Sequence, residues 1–269
     1  MAPGLLPGVF VSFEGSVVMK KIGTGSNAVN KGVGQTPFER SLARRIAKAR
    51  LVLDLSRKAA TRENGREAGL IMELHTQLER FGALNSTYIY TLEKYVETSL
   101  VRRALFKGQT DSIKHVAQAL KEAVMRDKSQ DANRVAEVRA LYAPVFAQNP
   151  LAPPYDITRP GFERELDIFM LSYTIILDAF RALVKKAAES NIALPFASDV
   201  CESLIVRSGT LGKQVESLLQ KVYVLNDERL QVFDRIKELC NAICSRSRYL
   251  FGSHDPIYKE INTLKYAIM

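Results

Sequence analysis

The sequence predicts an all-α fold, an elongated bundle of long, heptad-patterned antiparallel helices behind an irregular or short β-hairpin N-terminal arm. Three observations carry this expectation. No proline falls between Pro37 and Pro144, and proline is the residue least tolerated inside a helix. Apolar residues recur in alternating steps of four and three over most of the chain beyond residue 37. Seven of the 15 glycines lie within the first 36 residues, which sets an arm apart from the helical part.

The arm, residues 1–36, carries β-prone stretches at Val9 to Phe13 and Val17 to Ile22 between glycine-rich connectors, too little chain for a core of its own. Its apolar residues Leu5, Leu6, Val9, Phe10, Val11 and Phe13 have little reason to face water in a monomer, which suggests docking onto another chain. At Thr36 the pattern changes: Thr36 is a good N-cap, Pro37 suits the first helical position, and Glu39 completes a capping box. The helix that follows has a seam of Leu42, Ile46, Ala49, Leu53, Ser56 and Ala60, continued at Leu70, Leu74 and Phe81, with a candidate break at Asn64 and Gly65. Gly82 reads as a C-terminal stop, with Asn85 or Ser86 capping a second helix over Thr87 to Phe106. Gly108 ends that helix. Thr110 and Asp111 start a third, with Ile113, Ala117, Leu120 and Val124 on its seam up to the polar stretch Asp127 to Asp131.

Pro144, Pro150, Pro153, Pro154 and Pro160 mark a linker, so the expected organisation is a first bundle half at 37–143, the linker at 144–160 and a second half at 161–269. In the second half Leu166, Met170, Tyr173, Leu177, Phe180 and Val184 define one helix, ending near Asn191 to Pro195. From Phe196 onward, Leu204, Leu211, Val215, Leu218, Val222, Leu225, Val232, Ile236, Leu239 and Ile243 share one heptad phase, broken only by Ser208 and Arg229. A single helix of about 50 residues there would be ~75 Å long. Two echoes hint at internal duplication: Phe38, Glu39, Arg40 and Leu42 recur as Phe162, Glu163, Arg164 and Leu166, and, at a different offset, Gln109 to Ile113 resemble Gln214 to Leu218.

Lys and Arg outnumber Asp and Glu by 38 to 29, a net charge of +9 that favours anionic partners. The excess is concentrated at residues 39–62, where Arg40, Arg44, Lys48, Lys58 and Arg62 fall within about 80° on a helical wheel, opposite the apolar stripe. This face is the candidate contact for an anionic partner: a protein subunit, nucleic acid or an acidic membrane surface. Tyr88, Tyr90 and Tyr95 lie on another helix and do not interleave with it.

Signals for catalysis are weak. Gly23, Gly25 and Ala28 after Val17 to Ile22 imitate a dinucleotide fingerprint, but Asn30, Gly32 and Gly34 break the helix such a site needs. Cys240 and Cys244 sit one turn apart near His254, with Cys201 distant; beside Leu239 and Ile243 they read as buried small hydrophobes rather than metal ligands. His75 and His115 are on separate helices without a paired nucleophile. No catalytic residue, cofactor or metal is therefore expected. The most apolar run, Ile168 to Leu177, is too short to span a bilayer, and the N-terminus lacks the features of a secretory signal or presequence, so an intracellular, cytoplasmic setting is the expectation. Together these readings point to a non-enzymatic scaffold subunit of a larger assembly, with a nucleocapsid-like nucleic-acid-binding protein and a membrane-surface-binding helical dimer as the alternatives.

Overall fold

Thr36 and Pro37 start the first helix as the capping pattern requires: in the structure, a computed structural model, the Thr36 hydroxyl accepts from the Glu39 amide at 3.2 Å and Pro37 opens α1 (Pro37–Ala60). The described residues are 36–61, 68–108, 111–127, 130–148, 150–190, 193 and 195–269, so the expected arm, all but its last residue, lies outside them. Leu42, Ile46, Ala49, Leu53 and Ser56 are buried on α1, as the seam predicts.

The expected stop at Gly82 is corrected by α2 (Ala68–Lys107), one helix of 40 residues. A glycine costs a helix only about 1 kcal/mol, and buried residues on both sides of Gly82 hold the helix through it. Ser86 does not cap; its hydroxyl donates back to the Gly82 carbonyl at 3.0 Å, and Asn85 spends its side chain on a long-range contact described below. Ser112 caps α3 (Ile113–Arg126), accepting from the His115 amide, so this helix begins just after the expected Thr110 and Asp111. Asp131 caps α4 (Ala132–Ala147), which runs through Pro144; the irregular connection thus begins after Ala147. That connection is anchored, since Arg103 Nε donates to the Pro150 carbonyl at 3.0 Å and the Tyr173 hydroxyl to the Leu151 carbonyl at 3.1 Å. Gly161, at φ 83°, turns the chain into α5 (Phe162–Ala188). Next comes α6 (Ser198–Phe251), whose 54 residues are continuous and span ~81 Å. Gly252, at φ 80°, ends it, and Asp255 caps α7 (Pro256–Ile268).

All the described secondary structure is helical. The long helices α2 and α6 lie side by side, antiparallel. Phe81 meets Phe233 and Asn85 meets Arg229, four residues forward on one helix and four back on the other; Arg102 then meets Gly212 in the same register. Two apolar cores form against this pair. One unites α1 and the start of α2 with the end of α6 and α7; the other unites the end of α2 with α3, α4, α5 and the start of α6. Both therefore draw residues from either side of the proline-rich connection. Burial of each large apolar side chain in these cores is worth roughly 1.5–3 kcal/mol.

The register reveals a repeat. Arg80, Gly82, Leu84, Leu92, Lys94, Arg102 and Phe106 of α2 recur 127 positions later as Arg207, Gly209, Leu211, Leu219, Lys221, Arg229 and Phe233 of α6. The buried positions match as well: Tyr88, Tyr95, Ser99 and Leu105 correspond to Val215, Val222, Asn226 and Val232, all buried. Moving the Asn85 and Arg229 pair by this offset gives Gly212 and Arg102, so the shift exchanges α2 with α6. The flanking helices follow, with α1 at one end replaced by α5 at the other, consistent with the Phe-Glu-Arg echo at their starts.

Candidate functional site: the outer face of α1 and the polar node beneath it

Arg229 interrupts the heptad seam of α6, and the structure gives the reason. Its side chain is fully buried, and it donates twice to the carboxylate of Glu39, from Nη1 to Oε2 and from Nη2 to Oε1, both at 2.7 Å. Nη1 also donates to Asn85 Oδ1 at 2.9 Å and Nη2 to Asn226 Oδ1 at 2.8 Å. The guanidinium stacks 3.9 Å from the centre of the Tyr88 ring. Burial, and secondarily the charge of Glu39, pushes the Tyr88 hydroxyl up to about 12. Because Glu39 is in the first turn of α1, this node ties the start of that helix to the middle of the α2–α6 pair. A bidentate Arg–carboxylate pair is directional, so it fixes rotation and register as well as proximity. A groove of about 300 Å³ lies beside it between α1 and α2, lined by Leu42, Ile46, Phe81 and Gly82 among others.

The face of α1 opposite its buried stripe carries the cations singled out in the sequence. Arg40, Arg44 and Lys58 are exposed and Lys48 is half-buried; Arg62 lies outside the described residues. Among the described residues none of these four has a carboxylate within ion-pair distance, whereas Lys94, Arg126, Lys186, Arg235 and Lys237 on other helices do. Leu51, half exposed, lies amid these cations. The apolar arm residues Leu5, Leu6, Val9, Phe10, Val11 and Phe13 are likewise outside the described residues.

The remaining candidates are distributed through the fold. Cys201, Cys240 and Cys244 are free and buried, and burial drives the Cys240 thiol up to about 12. His75 and His254 are exposed, and exposed His115 sets its ring edge-on to Phe196. Tyr88 and Tyr95 are buried, with Tyr90 exposed. Among the described residues no group of three His, Cys, Asp or Glu side chains could hold a metal ion, and no helix is long and apolar enough to cross a membrane.

A second buried guanidinium, that of Arg102, escaped the sequence reading. It stacks 4.2 Å from the centre of the Tyr173 ring, with Nη1 3.8 Å from Met170 Sδ and no carboxylate within ion-pair distance among the described residues. Desolvation lowers its affinity for its proton. The signal that would have found both arginines is the 127-residue recurrence, since each occupies a seam position in its own long helix. Comparison with protein-family models, curated proteins and solved structures finds no match to this chain.

Proposed function

We propose that the protein is a non-enzymatic structural or scaffold subunit of a larger intracellular assembly, acting through its helix surfaces and a docking arm at residues 1–36. The observation that carries this reading is the α2–α6 pair, two long helices whose outward positions include the exposed apolar residues Tyr90, Val101, Val206 and Val224. Side chains of this kind at helical spacing suit contact with further helices. The experiment is the native size of the chain in an extract of the cells that make it, read by size-exclusion chromatography with immunodetection. Elution in a particle larger than one 30.1 kDa chain is expected; elution as a lone chain overturns the reading.

A second reading is nucleic-acid binding through the outer face of α1, favoured by the absence of ion-pair partners for Arg40, Arg44, Lys48 and Lys58 among the described residues. Four phosphate contacts on a single strand correspond to a slope of about −3 in log affinity against log salt. Fluorescence anisotropy with a labelled single-stranded RNA tests it. Binding that weakens with this slope and is lost in Arg40→Glu/Arg44→Glu is expected; binding absent even in dilute buffer, or untouched by the substitutions, overturns it.

A further inference from the structure

We infer that the outer face of the α2–α6 pair seats a second copy of this chain, back to back, with the two-fold axis running along the helices. The inference deepens the assembly reading and rests on it for the premise that helix surfaces are the working parts. From Thr76 to Ala104 on α2 and from Ser203 to Gln231 on α6, every residue at the outward four-and-three steps is exposed. The flanking helices pack on the other side. Arg102 and Tyr223 touch Tyr173 and Phe162 of α5, and Arg229 touches Glu39 of α1; these positions point away from the outward stripes on the helical wheel. Two shallow depressions of about 450 and 390 Å³ run between the stripes, floored in part by Leu105, Leu211 and Leu218.

The size of the face suits a second copy. Each stripe extends about 42 Å, and two adjacent helices present a width of about 20 Å. That footprint, about 840 Å², matches the roughly 800 Å² per partner of a standard stable interface.

The register supplies charge complementarity. A two-fold axis along the helices sets α2 of one copy over α6 of the other, antiparallel and at unchanged height. The pairing of Phe81 with Phe233 and of Asn85 with Arg229 fixes which residues share a height. Carried along the helices, it places Glu93, at the flank of the outward stripe of α2, level with Lys221 of the other copy, and exposed Tyr90 level with exposed Val224. Lys221 has no carboxylate partner within its own chain among the described residues. The four long helices then form a bundle in which neighbours alternate in direction, the arrangement that opposes their dipoles favourably.

Sedimentation equilibrium of the purified full-length chain tests this. The expected mass is twice 30.1 kDa. Glu93→Lys and Lys221→Glu each raise the dimer dissociation constant at least about tenfold by setting like charges together, and the double reversal restores dimerisation. Val224→Glu gives a monomer, while Leu171→Glu, on the outer face of α5, leaves the dimer intact. All four positions are exposed, so circular dichroism of each variant should retain the helical signal. A wild-type monomer at every concentration overturns the pairing, as does a double reversal no better than the single ones, or loss of the dimer with Leu171→Glu alone. A purified monomer beside a large particle in cell extract would sink the pairing and leave the assembly reading standing; the failure of that reading is a lone chain in the extract.

Discussion

Replacing Glu39 by glutamine removes the one carboxylate, among the described residues, bonded to the fully buried guanidinium of Arg229. Breaking a buried ion pair by removing one partner costs about 3–5 kcal/mol, because the surviving charge stays in a low-dielectric site. In this node the Asn85 and Asn226 carbonyls and the Tyr88 ring remain, and glutamine keeps one acceptor oxygen, so Glu39→Gln belongs near about 3 kcal/mol and Glu39→Ala nearer about 5. The reverse substitution is milder. Arg229→Met leaves a Glu39 side chain that is 10% exposed in the first turn of α1, where water can reach it, for a cost of about 1–3 kcal/mol. The double variant Glu39→Met/Arg229→Met leaves no buried charge and is more stable than Glu39→Ala. In a chain of this size each kcal/mol corresponds to roughly 2–4 °C, so Glu39→Gln should lower Tm by about 6–12 °C. Urea and thermal unfolding followed by circular dichroism measure the series, and hydrogen exchange should show protection lost first in α1. A Glu39→Gln loss below about 1 kcal/mol, or an Arg229→Met more damaging than Glu39→Ala, would refute the account.

Gly82→Ala should stabilise the protein by up to about 1 kcal/mol, since a Cβ there meets nothing within 4 Å inside a continuous helix; a loss of stability in urea would mean that α2 is interrupted at Gly82. The three buried thiols should be unreactive toward a thiol reagent in the native state and titrate together on unfolding, so prompt labelling of one thiol in native buffer would contradict the packing. Tyr88 and Tyr173 each stand at about 12 against the ordinary 10.0, so the unfolded chain gives up these protons first. Their contribution, on the order of 3 kcal/mol each, is fully present below pH 10 and is lost as the pH rises to about 12; unfolding free energies flat across that range would falsify the burial of both hydroxyls.

The seams of α1, α3, α5 and most of α6 were legible because their signals are local, whereas α4 and α7 carried no spacing that announced them. The four-and-three spacing found Leu42, Ile46, Ala49 and Leu53 on α1 and the seam from Leu204 to Ile243 on α6, and the Thr36–Pro37 cap set where α1 begins. The stop at Gly82 failed because tertiary burial on both sides outweighs a glycine penalty that no local signal can be weighed against. Pro144 misplaced the linker for a related reason: a single proline bends or strains a helix without having to end it. The cations on α1 were legible as a face from helical angles alone. The node beneath them was not, because Glu39 and Arg229 are 190 positions apart and only the packing of α1 against α6 joins them. Sequence did hold a trace of it: Arg229 occupied a seam position where an apolar residue was expected, and a charged side chain there implies a buried partner.

The two buried arginines show how the two similar ends of the α2–α6 pair differ. Arg102 and Arg229 hold equivalent places on α2 and α6, yet the partners have diverged: Asn85 corresponds to Gly212, Asn226 to Ser99, and the carboxylate from the first turn of α1 has no counterpart bonded to Arg102. At Arg102 the guanidinium is held by Tyr173 and Met170 of α5, through contacts that tolerate small shifts in register. At Arg229 it is held by four directed hydrogen bonds that do not. The helix seated by the directed bonds is α1, which follows the arm and carries on its outer face Arg40, Arg44, Lys48 and Lys58, none with a carboxylate within ion-pair distance among the described residues. On α5 the positions equivalent to Arg44 and Ala47 are the exposed Ile168 and Leu171, an apolar surface that a modest shift would not scramble. A face that reads charge needs its cations at fixed spacing, whereas an apolar face needs chiefly area, so the stricter anchoring belongs beneath α1. On this argument Glu39→Ala should loosen α1 and weaken any anion bound there even with every surface cation in place, whereas Arg102→Met should leave such binding unchanged.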